Sequence, residues 1–107
     1  MPYKVVHLAE ECAIRAFAID RDYYYQHRNS RRREIINIKQ IACALAREHK
    51  KLTWITIANG VGLSNHTTAI WGARQCKNLA SYDKDYAKIY SRAEEMYLES
   101  LAKMGDN

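Results

Sequence analysis

The sequence predicts an all-α fold, a multi-helix domain built around a helix-turn-helix and followed by a long C-terminal helix. Three observations predict it. Apolar residues recur at spacings of three and four in three extended segments. Only four Gly and one Pro interrupt 107 residues. Residues 53–79 carry the small, glycine and apolar positions at which two short helices cross. With 48% apolar residues the chain is expected to bury one core, as a single domain over residues 1–107.

The first helix is expected over residues 5–17, where Val5, Leu8, Ala9, Cys12, Ala13, Ala16 and Phe17 form one stripe. Asp20 offers an N-cap for a short segment through Tyr23 and Tyr24. Tyr23, Tyr24 and Tyr25 cannot share one helix face. At least one ring is therefore expected to be partly exposed, in core-and-rim packing rather than base stacking. A second long helix follows over residues 34–49, with Ile35, Ile38, Ile41, Ala42, Leu45 and Ala46 on its stripe.

In residues 53–79, Ala58 is the small crossing residue and Gly62 the turn glycine, at a position that favours positive φ. Ile57, Val61 and Leu63 pin the second helix, with Ile70 and Ala73 on its inner face, and Gly60 weakens the end of the first. Ser64 is the expected N-cap, so that Asn65, His66, Thr67 and Thr68 form the first turn. The last helix spans residues 83–104, capped by Asp83, with Tyr86, Ile89, Ala93, Met96, Tyr97, Leu101 and Met104 along one side. That stripe requires a cover, by the domain itself or by a second copy of the chain in a homodimer through residues 83–104.

Charge is concentrated. Residues 28–51 hold eight basic residues (Arg28, Arg31, Arg32, Arg33, Lys39, Arg47, Lys50, Lys51) against two acidic ones, whereas residues 78–107 hold four against six. A local positive excess is what a phosphate-binding face requires. Arg31, Arg32 and Arg33 precede a helix N-terminus, where they gain nothing from its dipole, so a role along phosphates or in a narrow minor groove is expected. In the second helix of the motif, Asn suits adenine, the Thr methyl suits thymine, and His or Thr hydroxyls suit bases or phosphates. Arg74 and Lys77 lie farther along, toward flanking backbone.

Other chemistries lack their residues. The three cysteines are widely spaced and fall on apolar stripes, and neither they nor the four histidines form a zinc-ligand pair, so no metal or cofactor is expected. No acidic residue adjoins His66 to orient it as a base for Thr67 or Thr68, and no phosphate-cradling glycine loop precedes a Lys, so the chain is expected not to be an enzyme. No run approaches a membrane span and the N-terminus lacks the order of a signal peptide. No membrane association and a cytoplasmic, nucleoid-associated location are expected.

The segment LSNHTTAIWGARQCKNL resembles the signature of the C-terminal DNA-binding domain of the bacterial replication initiator DnaA, a Trp-repressor-like helix-turn-helix. Upstream, IKQIACALAREHKKLTWITIANGVG is similar to that domain's two preceding helices and FAIDRDYYYQHRNSRRR to its entry helices and basic loop, so that residues 10–80 are covered. The resemblance implies double-stranded DNA as partner, replication proteins as further partners, and recognition of an origin-like site in replication initiation or its regulation. It places Arg31 in the minor groove, Asn65, His66, Thr67 and Thr68 on bases, and Arg47, Thr53 and Trp54 on phosphates. Arg32, Arg33, Lys39, Lys50, Lys51, Ser64, Arg74 and Lys77 complete the expected phosphate contacts. Asn65 replaces the family's acidic residue, and Leu63 and Ser64 stand where glycine and arginine are usual, which alters the expected target. These 107 residues hold no counterpart of the initiator's ATPase module, so ATP-driven assembly is not implied. A dimeric helix-turn-helix repressor and a protein-interaction adaptor that has lost DNA specificity are the alternatives.

Overall fold

The structure, a computed structural model, describes residues 2–105; Met1, Asp106 and Asn107, which complete the expected domain, lie outside the described residues. It is all-helical: α1 (Pro2–Phe17), α2 (Arg21–Gln26), α3 (Arg33–Lys50), α4 (Trp54–Gly60), α5 (His66–Tyr82) and α6 (Lys84–Lys103). Among the described residues no helix is long and apolar enough to cross a membrane.

α1 and α3 form the centre. α1 packs on α3, α6 and α4, while α3 packs on α1 and α5. The expected stripe of α1 is buried at Val5, Ala9, Cys12, Ala13 and Ala16, and Val6 and Ile14 are buried as well because α4 and α6 cover its other sides. α3 buries all six predicted positions together with Cys43 and Ala44, so that it is enclosed on nearly every side from Ile41 to Ala46. Alanines at Ala9, Ala13, Ala42 and Ala46 keep these central helices slim where they meet the rest of the core.

Two predicted caps are present. Asp20 accepts from the Tyr23 N–H at 3.0 Å, and Asp83 accepts from the Asp85 and Tyr86 N–H groups, each at 3.1 Å. Asp83 also ends α5, so α5 and α6 meet with a single residue between them. The α6 stripe is covered within the chain: Tyr86, Ala93, Tyr97 and Leu101 are buried, and the Tyr97 hydroxyl donates to the Val5 carbonyl at 3.0 Å. Ile89 and Met96 pack partly buried against the same core, while Met104, at the end of the stripe, is exposed.

One ion pair lies inside the protein. Glu10 on α1 is fully buried and receives Arg28 Nε on Oε2 at 2.9 Å and Nη2 on Oε1 at 3.0 Å. Tyr24 donates its hydroxyl to the same carboxylate, and the same Arg28 Nη2 donates to the Gly60 carbonyl at 2.8 Å. Arg28, counted in the basic run, is thus turned inward and removed from the surface excess. A buried carboxylate is tolerated only with such partners.

Removing Arg28 leaves the buried Glu10 carboxylate without its guanidinium partner, with only the Tyr24 hydroxyl and the His7 ring still on it. Arg28→Met should therefore lower unfolding stability by about 3–5 kcal/mol, with part of the loss recovered in the Arg28→Met, Glu10→Leu double variant, as measured by urea unfolding.

The three thiols are free and buried. Burial pushes Cys12 up, Cys43 up to about 12 and Cys76 up to about 11. The native state thus holds these protons where the unfolded chain releases them. This contribution to stability should be intact below pH about 8.5 and should decline as pH rises toward 11–12. Ellman's reagent at pH 8 should leave all three thiols unreacted until denaturant is added.

Candidate nucleic-acid interface

The helix-turn-helix is α4, residues 61–65 and α5. Thr53 caps α4, its hydroxyl oxygen accepting from the Thr56 N–H at 3.2 Å. At the other end the Leu63 N–H returns to the Ala58 carbonyl at 2.8 Å and the Gly62 N–H to Asn59 at 3.3 Å, a Schellman turn with Gly62 at φ +75°. Gly62 thus has the predicted role. Gly60 has a different one from that expected: a Cβ there would lie 2.5 Å from Val6 Cγ1, so its lack of a side chain is what lets α4 close on α1.

The cap of α5 is Asn65, not Ser64. Asn65 is extended (φ −140°, ψ 128°) and its Oδ1 accepts from the Thr67 N–H at 2.8 Å, so the helix begins at His66. Both residue types cap well, and the length of the turn decides between them. Asn65 Oδ1 keeps a second lone pair and its amide keeps its donors, which preserves the capacity for a base contact. His66, Thr67 and Thr68 are exposed on the first turn, while Ala69, Gly72, Ala73 and Cys76 face inward.

Outward, Thr67, Trp71, Arg74, Asn78 and Tyr82 follow one another along α5 at helical spacing, all exposed. Trp71 was missed in the sequence reading; its spacing of four from Thr67 was the available signal. Residues 49–82 contain no Asp or Glu, so the second half of the motif carries no intrinsic repulsion for an anion.

The basic residues fall into distinct settings. Arg31, Arg32 and Arg33 are exposed. Arg32 donates to the Tyr23 hydroxyl at 3.2 Å and lies 5.9 Å from the centre of that ring. Tyr23 donates in turn to Glu34 at 2.6 Å, and this bond holds the Glu34 carboxyl below its usual value. Tyr24 is buried while Tyr23 and Tyr25 are half-buried, in keeping with core-and-rim packing. At the α3–α4 junction Arg47 donates to the Leu52 carbonyl at 2.8 Å and stacks 4.6 Å from the Trp54 ring centre, bringing Arg47, Thr53 and Trp54 together. Lys51 ends α3 in the left-handed conformation, φ 52°, and Lys50 is half-buried. Arg74 is exposed, and Lys77 lies 3.8 Å from Glu48 in a solvent-facing pair of little energetic weight.

A cleft of about 670 Å³ separates the α2–α3 loop from the start of α5. Arg31, Lys39, Ser64, Thr68 and Trp71 all line it, so a loop arginine and the first turn of α5 border one concavity although more than thirty residues separate them in sequence. A shallower groove of about 330 Å³ lies in the elbow of the motif, between Ile55 and Asn59 of α4 and Asn65 and His66. Among the described residues no three His, Cys, Asp or Glu side chains gather as a metal-holding group.

Neither a family model nor a curated protein nor a solved structure matches this chain.

Because Asn65 rather than Ser64 holds the first turn, Asn65→Ala should cost about 1 kcal/mol of stability, whereas Ser64→Ala should stay within about 0.5 kcal/mol. Thermal unfolding of the two variants distinguishes the caps.

Proposed function

We propose that this chain binds double-stranded DNA with sequence preference, reading bases with the start of α5, and that it acts in replication initiation or its regulation in the manner of the initiator's C-terminal domain. The observation that carries this reading is the exposed, carboxylate-free first turn of α5, sharing a cleft with Arg31 behind a well-formed helix-turn-helix. In such a motif the N-terminal residues of the second helix meet base edges in the major groove. Asn65, His66, Thr67 and Thr68 are assigned to that readout, and Arg31 to the adjacent minor groove.

Arg32, Arg33, Lys50, Lys51, Arg74 and Lys77, with Ser64 and the Arg47, Thr53 and Trp54 group, supply phosphate contacts. These give affinity and salt dependence rather than sequence information. The reading assigns no catalysis, metal or cofactor to the chain. A protein-interaction adaptor is the second reading, favoured by Trp71 and Tyr82, which are 59% and 69% exposed. The dimeric repressor has less support, because the α6 stripe already packs inside the chain.

Selection from a random duplex library tests the reading: it should return a defined site, and an adaptor would return none. On that site, joint replacement of His66 and Thr67 by Ala should remove about 1–3 kcal/mol of discrimination against single-base variants. Arg33→Ala should weaken all duplexes alike and reduce the slope of log K against log salt by about 1. Unchanged site preference in the His66, Thr67 variant would sink the recognition-helix assignment.

A further inference from the structure

Ile36, Ile55 and Trp71 carry large apolar side chains that the core does not use; they are 38%, 61% and 59% exposed. Ile36 lies off the buried stripe of α3 and Trp71 on the outward side of α5, and both line the cleft. Ile55 lines the shallower groove in the elbow of α4 and α5. Leu63, half-buried at the turn, is a wall of both concavities. The two grooves therefore meet as one track across the turn, with apolar surface at either end and in the middle. Contiguous exposed apolar surface on a small domain marks a place where another molecule packs.

The charge of the track has one sign. Arg31 and Lys39 line the cleft, and among the described residues no Asp or Glu lines either groove. A sugar–phosphate strand answers the cations but offers little apolar surface to Ile36, Leu63 and Ile55. A purely apolar occupant leaves the cations unanswered. The chemistry that answers both is a protein segment with acidic side chains around large apolar anchors. The anchors then supply most of the affinity, and the acidic groups supply orientation and speed of encounter.

We propose that this track is the docking site of an acidic, amphipathic segment of a partner protein, and that the partner and DNA exclude one another. Asn65, His66 and Thr68, assigned above to base readout, border the same two grooves. An occupant of the track therefore covers the turn that reads DNA, and the partner acts as a regulator of that turn. The inference rests on the DNA reading for this competition alone. The docking itself stands on the apolar track and the sign of its charge.

A random peptide library displayed on phage supplies the probe, with the full chain as bait. The variants are Ile36→Ser and Ile55→Ser, both at exposed positions without a DNA assignment, and thermal unfolding verifies that each is folded. Selected peptides should carry net negative charge and at least one large apolar residue. Synthesised with a fluorescent label, they should bind each variant about tenfold more weakly than the native chain. Binding should also fall as salt rises and disappear when the peptide's acidic residues are changed to amides. The selected duplex should displace the peptide, and Ile36→Ser should hold that duplex as the native chain does. No enrichment, neutral or basic peptides, or peptides indifferent to both variants overturns the docking site. So does an Ile36→Ser variant that weakens duplex and peptide alike, since the apolar walls then serve DNA. Self-association in sedimentation velocity that Ile36→Ser abolishes gives the track to a second copy of the chain and overturns the partner. Simultaneous binding of peptide and duplex overturns the exclusion. Peptide binding at the track without any selected duplex keeps the docking site and removes the DNA reading, and a selected duplex without any peptide does the reverse.

Discussion

A carboxylate with no access to water sits on the central helix of this protein, and the architecture is arranged around its neutralisation. Glu10 holds Arg28 through two bonds, Tyr24 through a third, and through Arg28 it reaches the last carbonyl of α4 at Gly60. Three separate parts of the chain are fastened at that point: α1, the segment that leads to the exposed arginines, and the turn of the helix-turn-helix. A buried pair of this kind contributes less to net stability than to the choice of one arrangement over its competitors, since any other packing leaves a charge uncompensated. Here the arrangement chosen is the spacing between the Arg31 loop and the start of α5, the two walls of the cleft.

The glycines of the turn belong to the same constraint. A side chain at Gly60 would collide with Val6, and one at Gly62 would lie 2.9 Å from the Arg28 guanidinium, at a backbone φ that side chains rarely adopt. The turn is compact because α1 and Arg28 both press on it. A helix-turn-helix held from behind in this way presents its second helix as a rigid edge.

Charge is sorted by the same packing. Of the basic run, Arg28 is consumed inside, Lys39 is held part-way, Arg47 lies against Trp54, and Arg31, Arg32 and Arg33 remain at the surface. With residues 49–82 free of carboxylates, the positive field is left on the side that carries the α5 turn and the arginine loop. α6 carries four acidic and four basic residues, and its apolar side closes over α1.

Much of this was legible in the order of residues. The 3.6-residue period located α1, α3 and α6, Asp20 and Asp83 were identifiable as caps, and Gly62 marked the turn, because periodicity, capping and left-handed φ are local properties of a few neighbouring residues. The sequence by itself therefore determined the all-helical class, the helix-turn-helix and most of the core. It named Ser64 rather than Asn65 as the cap, and it read Gly60 as a weak helix position rather than a point of contact with Val6. It also counted Arg28 with the surface cations, although its partner lies 18 residues upstream. Whether α6 covers its own chain, which arginines face water and whether Lys39 meets a carboxylate were decided by the tertiary structure alone. Each depends on which distant side chains the packing brings within a few ångströms, and a cation looks the same in sequence whether it is neutralised inside or left at the mouth of a cleft.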